Sequence, residues 1–186
     1  MQNRPPNETI DTKQKILRAA AQIINTTGVL TLTLEAVAKE AKISKGGLLY
    51  HFPSKDALMQ GMNDYLLQGF IGEVESAANQ DPCEKGKWAR AYTAVTFNQS
   101  GSELAMNVAF LAAAATNPEL LKTMSKHLQV LQTRIENDHI DPIISTVIRL
   151  AVDGMYFNQL YGMNVREDIK EKVLNYLNSL TQEEPQ

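Results

Sequence analysis

The sequence predicts an all-α protein. Apolar residues recur at three- and four-residue spacing through most of the chain, which marks helices with one buried face. Strict alternation, the mark of a half-buried strand, occurs only at 29–34. Capping residues, Gly and Pro divide the 186 residues into nine helix-length segments.

The first helix is predicted over 11–27. Asp11 and Gln14 form a capping-box-like pair, Ile16, Leu17, Ala20, Ile23 and Ile24 make the apolar stripe, and Gly28 stops it. Thr33 caps a short helix over 34–41, with Glu35 in its first turn, where negative charge is favoured. Ser44 caps another over 45–52, and Pro53 ends it. Ser54 caps a long helix over 55–79, which Asp81-Pro82 breaks. Further helices are predicted over 84–99, 103–116, 118–138, 142–161 and 166–180. Pro118 and Pro142 are tolerated in first turns, and Gly162 closes the eighth.

Composition is that of an ordinary globular protein, with 44% hydrophobic and 21% charged residues. It excludes collagen-like, low-complexity and wholly disordered chains. The longest apolar run, 108–115, is too short to span a bilayer, and the N-terminus carries no apolar signal core. A cytoplasmic protein with no membrane partner is expected. The single Cys83 rules out an internal disulfide and a cysteine-built zinc site. Charge is uneven: residues 1–55 hold eight Lys/Arg against four Asp/Glu, and the remainder holds ten against seventeen. A basic head on an acidic body suits a polyanionic partner.

Residues 34–55, LEAVAKEAKISKGGLLYHFPSK, carry the functional signal. Leu34, Val37, Ala38 and Ala41 line one face of the first short helix, with small residues where a second helix must cross. Ile43 plugs the joint, and Leu48 and Phe52 continue the apolar face. This is the pattern of a helix-turn-helix. On its outward side, Ser44 caps a helix whose free N–H groups and positive dipole end favour phosphate. Lys45, Tyr50, His51 and Lys55 supply donors at or near its ends. Gly46 and Gly47 remove side chains, allowing the backbone to approach DNA closely. In so short a helix each glycine costs roughly 0.8–1 kcal/mol against Ala. Thr33 and Leu49 complete the candidate DNA-binding set.

The stretch TLEAVAKEAKISKGGLLYHFPSKDAL resembles the helix-turn-helix of tetracycline-repressor-like (TetR family) transcriptional regulators. Ala41, Ile43, Ser44, Lys45, Gly46, Leu48, His51, Phe52, Ser54 and Lys55 match the family pattern. Lys42 stands where the family has Gly, at a turn position that needs positive φ. Gly47 replaces a side chain, and Leu49 stands where a phosphate-contacting Tyr is common, with Tyr50 next to it. The resemblance implies a DNA-binding head over 1–54, with its motif at about 33–52, and a ligand-binding and dimerisation body over 55–186. It implies a repressor that grips a palindromic operator as a homodimer and is released by a small apolar or amphipathic effector.

In the body, the segment 142–161 is apolar around most of its circumference, as for a helix buried on two sides. The resemblance implies that it pairs with 166–180 and with the same helices of a second subunit. Ile144, Val147, Ile148, Ala151, Met155, Val173, Tyr176, Leu177 and Leu180 are the expected interface. The effector pocket implied by the family draws on Met59, Met62, Leu66, Trp88, Tyr92, Met106, Phe110, Met124, Met155 and Asn158. Trp88 and Tyr92, at i and i+4, carry polar tips that could orient an apolar ligand. Asp153 suits either a cationic ligand or a capped or dimer-edge carboxylate.

No catalytic residues, cofactor or metal are expected. His127 and His139 lie twelve apart rather than at i, i+4, and neither a phosphate loop nor a nucleophile elbow occurs. The competing reading is a helical lipid- or small-molecule-binding protein without DNA activity.

Overall fold

A computed structural model describes residues 6–99, 107, 111, 117–163 and 165–182, with side chains from Thr12 onward. Eight α-helices occur among the described residues: α1 (Pro6–Thr27), α2 (Leu34–Glu40), α3 (Lys45–His51), α4 (Lys55–Gln80), α5 (Lys87–Phe97), α6 (Pro118–Glu136), α7 (Pro142–Leu160) and α8 (Glu167–Leu180). The alternating segment is no strand: Val29–Thr31 forms a 3-10 turn. Helix α1 starts five residues earlier than expected, so Asp11 lies inside it rather than at its cap; Pro6 stands at its start, a place where the missing N–H costs nothing. The segment predicted over 103–116 lies outside the described residues except for Asn107 and Leu111, both helical.

The chain divides into two compact units, Met1–Leu66 with Gly101–Met124 and Leu67–Ser100 with Ser125–Gln186. In the first, Ile16, Leu17, Ala20 and Ile24 of α1 pack with Val37, Ala38, Leu48 and Phe52, and with Leu58, Met59 and Met62 of α4. The predicted stripes of α1 and of the helix-turn-helix are therefore the buried ones. Gly61 is needed here, because a Cβ would lie 2.4 Å from the Phe52 ring.

In the second unit, Val74 and Ala78 pack with Ala89 and Tyr92 of α5, Leu131 and Ile135 of α6, Ile148 and Val152 of α7, and Leu177 of α8. Helix α5 has no cap of its own: its N-cap is Gly86, in left-handed conformation at φ 76°. The cap comes from a distant residue, Asp138, whose backbone oxygen accepts from Gly86 N–H at 2.8 Å and whose carboxylate accepts from Ala89 N–H at 2.8 Å. Burial raises the Asp138 carboxyl above its usual range, opposed by the N–H groups of Ala89 and Trp88.

Arg90 fastens the same corner. Its guanidinium donates to both carboxylate oxygens of Asp81 at 2.8 and 2.9 Å, to the carbonyls of Cys83 and Lys85, and to Thr181 Oγ1 at 2.8 Å. The hydrogen bond from Arg90 holds the Asp81 carboxyl below its usual range.

Candidate nucleic-acid interface and effector body

Capping sets the shape of the helix-turn-helix. Thr33 Oγ1 accepts from Ala36 N–H at 3.1 Å, Ser44 Oγ from Gly47 N–H at 3.0 Å, and Ser54 Oγ from Ala57 N–H at 3.0 Å. At the turn, Ile43 N–H donates to Ala38 O and Lys42 N–H to Lys39 O, the paired bonds of a Schellman closure. That closure needs a left-handed residue, and Lys42 supplies it at φ 54°. The family's glycine position thus keeps its conformation here, at the cost of strain on a side-chain-bearing residue.

Around α3, Thr33, Ser44, Lys45, Gly46, Leu49, Tyr50 and Lys55 are exposed, whereas Gly47 and His51 are half-buried. Tyr50, 82% exposed, meets the His51 ring edge-on at 5.2 Å. A Cβ added to Gly46 would meet no atom of the described residues within 4 Å, so packing among them gives no reason for that glycine. Lys45 donates to Glu35, and that bond lowers the Glu35 carboxyl below its ordinary value. The Lys45–Glu35 pair was not foreseen; its ten-residue separation fits no helical spacing.

The effector candidates fall into both units. Met59 and Met62 are buried in the first core, with Leu66 and Met124 packed against it. Tyr92 and Trp88 belong to the second, and Met155 and Asn158 are half-buried. Met106 and Phe110 lie outside the described residues. The polar tip of Tyr92 is already engaged, since its hydroxyl donates to Asp153, and burial first, then the Asp153 charge, raises its pKa. Arg149 donates to the other Asp153 oxygen at 2.6 Å. Asp153 is therefore an internally held carboxylate, its charge balanced within the chain. Trp88 lies under the Arg134 guanidinium, 4.6 Å from its ring centroid, and Arg134 donates in turn to Glu75.

The expected dimer set needs correction at two positions. Ile148 and Leu177 are 1% and 4% exposed and belong to the second unit's own core, because they lie on the faces of α7 and α8 turned toward α5 and α6. Ile144, Ala151, Val173 and Leu180 are half-buried against that core, and Met155 is half-buried too. Val147 and Tyr176 are exposed. Ile143, Leu150, Phe157 and Tyr161, outside the expected set, are also exposed. With Val147 and Gly154 they recur at alternating four- and three-residue steps, a stripe along one side of α7. That spacing was available in the sequence, but the continuous apolar run hid which side was which.

Among the described residues no group of three His, Cys, Asp or Glu could hold a metal ion, and no helix is long and apolar enough to cross a membrane.

Comparison with known proteins places this architecture. The tetracycline-repressor-like C-terminal domain matches residues 86–182, and the N-terminal domain of the tetR family of bacterial regulatory proteins matches residues 16–62. The chain belongs to the tetracycline-repressor family. It is 26% identical over 144 residues to the A-factor receptor protein of Streptomyces griseus, covering 76% of this chain and 52% of that protein. It thus spans about half the length of that relative. It is 35% identical over 66 residues to the nicotine-responsive transcriptional repressor HdnoR of Paenarthrobacter nicotinovorans, covering 36% of this chain and 34% of the repressor. The transcriptional regulator SCO7518 of Streptomyces coelicolor A3(2) shares the fold with TM-score 0.74 at 14% identity, over 93% of this chain and 99% of that one.

Proposed function

We propose that this member of the tetracycline-repressor family is a ligand-responsive transcriptional repressor of the cytoplasm, without enzymatic activity, which binds a palindromic operator as a homodimer. The observation that carries the reading is α3: a Ser44-capped helix of seven residues that exposes Lys45, Gly46, Leu49 and Tyr50, with Lys55 just beyond it. Free N–H groups, a positive dipole end and three exposed donors suit a phosphate backbone. Residues 1–54 are the DNA-binding head and 55–186 the effector and dimer body. Selection of genomic fragments followed by gel shift tests this directly. A folded protein that retains no fragment at low salt would favour a ligand-binding protein without DNA activity.

Within the head, Lys45, Tyr50 and Lys55 contact phosphates. Lys55→Ala is expected to weaken operator binding by a similar factor across operator variants, and to flatten the slope of log affinity against log salt by about one unit. A changed base preference with an intact slope would show a base-reading role instead.

An apolar or amphipathic effector enters the body and releases DNA. HdnoR, similar to this chain over 66 residues, is nicotine-responsive by name, which supports an effector-controlled repressor. Helix α4 begins at Lys55, beside the DNA face, and contributes residues to both units. An effector that favours a conformer with mismatched head spacing needs about 4 kcal/mol of coupling for a thousandfold loss of DNA affinity. Trp88 is the only tryptophan, so its fluorescence reports on the body. Trp88→Ala and Tyr92→Phe are expected to weaken induction while operator binding without effector stays at the parent level. An unaltered response in both would move the pocket away from α5.

A further inference from the structure

We propose that Glu35 is a built-in competitor for DNA phosphate at Lys45 and restrains attachment of the head to DNA of any sequence. The proposal rests on the DNA-binding reading above. Glu35 stands in the first turn of α2, and Lys45 is the first residue of α3. The Schellman closure at Lys42 folds the two helices so that these side chains form an ion pair, although both remain largely exposed at 63% and 59%.

A carboxylate oxygen and a phosphate oxygen make the same kind of charge-assisted bond to an ammonium group. Glu35 therefore occupies on Lys45 the role that a DNA phosphate would take. To seat a phosphate there, Lys45 must exchange or share its partner. Because exposed pairs are weak, exchange is permitted when α3 is fully seated in a groove. On loosely held, non-cognate DNA the pair stays closed. Lys45 then releases no counterion, and its contribution to the sequence-independent term is silent. Lys39, Lys42 and Lys55 of the same head are exposed.

The test is a double-mutant cycle on the full chain, with Glu35→Gln, Lys45→Ala and both together, each verified as folded by circular dichroism. The probe is a random-sequence duplex of about 30 base pairs, long enough for two half-sites. Binding is measured as a function of salt. Glu35→Gln is expected to bind this duplex roughly threefold or more tightly at low salt and to steepen the salt slope by about 0.9 per bound protomer. Lys45→Ala is expected to abolish the gain from Glu35→Gln, so that the double variant binds the duplex as Lys45→Ala does alone. Unchanged or weaker binding by Glu35→Gln overturns the proposal. So does a gain that survives Lys45→Ala, which would be simple repulsion between Glu35 and the backbone. If no folded variant binds any duplex at low salt, the DNA-binding reading itself fails, and this proposal with it.

Discussion

Val147→Glu is expected to yield a folded monomer whose operator affinity falls by on the order of a hundredfold or more. Val147 is 51% exposed and sits mid-stripe on α7, between Ile143, 72% exposed, and Leu150, 55% exposed. Soluble monomers rarely leave such a contiguous apolar strip in water. Gly154, on the same stripe, bears no side chain, which suits close approach of a second helix. Tyr176 of α8, 63% exposed, is the exposed member of the expected interface on the other helix. A charge at Val147 costs little in a monomer, where the side chain can point to water. In a two-fold interface the charge is buried twice, once from each protomer, and burying unpaired charges is prohibitive. The affinity loss follows because two linked heads engage two half-sites with an avidity that one head lacks. Sedimentation and operator titration check both parts. Ile148→Ala is the control: buried in the protomer's own core, it should cost about 2–5 kcal/mol of stability without acting through assembly. Native-size dimers for both Val147→Glu and Tyr176→Glu would remove α7 and α8 from the interface.

Legibility in the sequence followed the range of the interactions. The helix-turn-helix was readable because its determinants are local: Thr33, Ser44 and Ser54 each cap a helix by accepting an N–H three residues on. The apolar stripe of α1 was equally plain, since one face only is apolar. In α7 the same logic failed in part. A helix apolar on nearly all sides offers no polar face to orient it, so Ile148 and Val147, adjacent in sequence, could not be told apart as core and surface. What the sequence concealed entirely was contact between distant segments. Asp138 reads as the tail of α6, and nothing local shows that it caps α5. Tyr92 and Trp88 read as free side chains, yet the Tyr92 hydroxyl already donates to Asp153 and the Arg134 guanidinium lies over the Trp88 ring face, both from far along the chain.

Arg90 is the sharpest case of that concealment, and Arg90→Ala is expected to lower stability by roughly 2–4 kcal/mol. Its guanidinium bonds Asp81 through two oxygens, the carbonyls of Cys83 and Lys85, and Thr181 after the end of α8. The Arg90 and Asp81 side chains are only 15% and 17% exposed, so water replaces few of these bonds. Truncation leaves a largely buried carboxylate without its cation, which is costlier than never having had the pair. Gly86 adds a steric reason for the precision of this corner: a Cβ there would lie 2.6 Å from Thr181 Cβ. For a chain of this size the loss corresponds to a fall in melting temperature of about 5–15 °C. The sign of the pH dependence follows from Asp81. Its pKa is depressed in the folded state, so the stability it confers is complete above its unfolded value, about 3.9, and is lost as pH falls through the folded value. Asp138 works the other way: its pKa is raised by burial, so its ionisation opposes folding as pH rises from the unfolded value to the folded one. Measured in an Asp138→Asn background, which removes that opposing titration, Arg90→Ala should flatten the acid limb of the stability curve as well as lower its plateau. An acid limb of parental steepness in that background would show that Asp81 draws its stabilisation from elsewhere, and a melting temperature within a degree or so of the parent would show that the corner is fastened without Arg90.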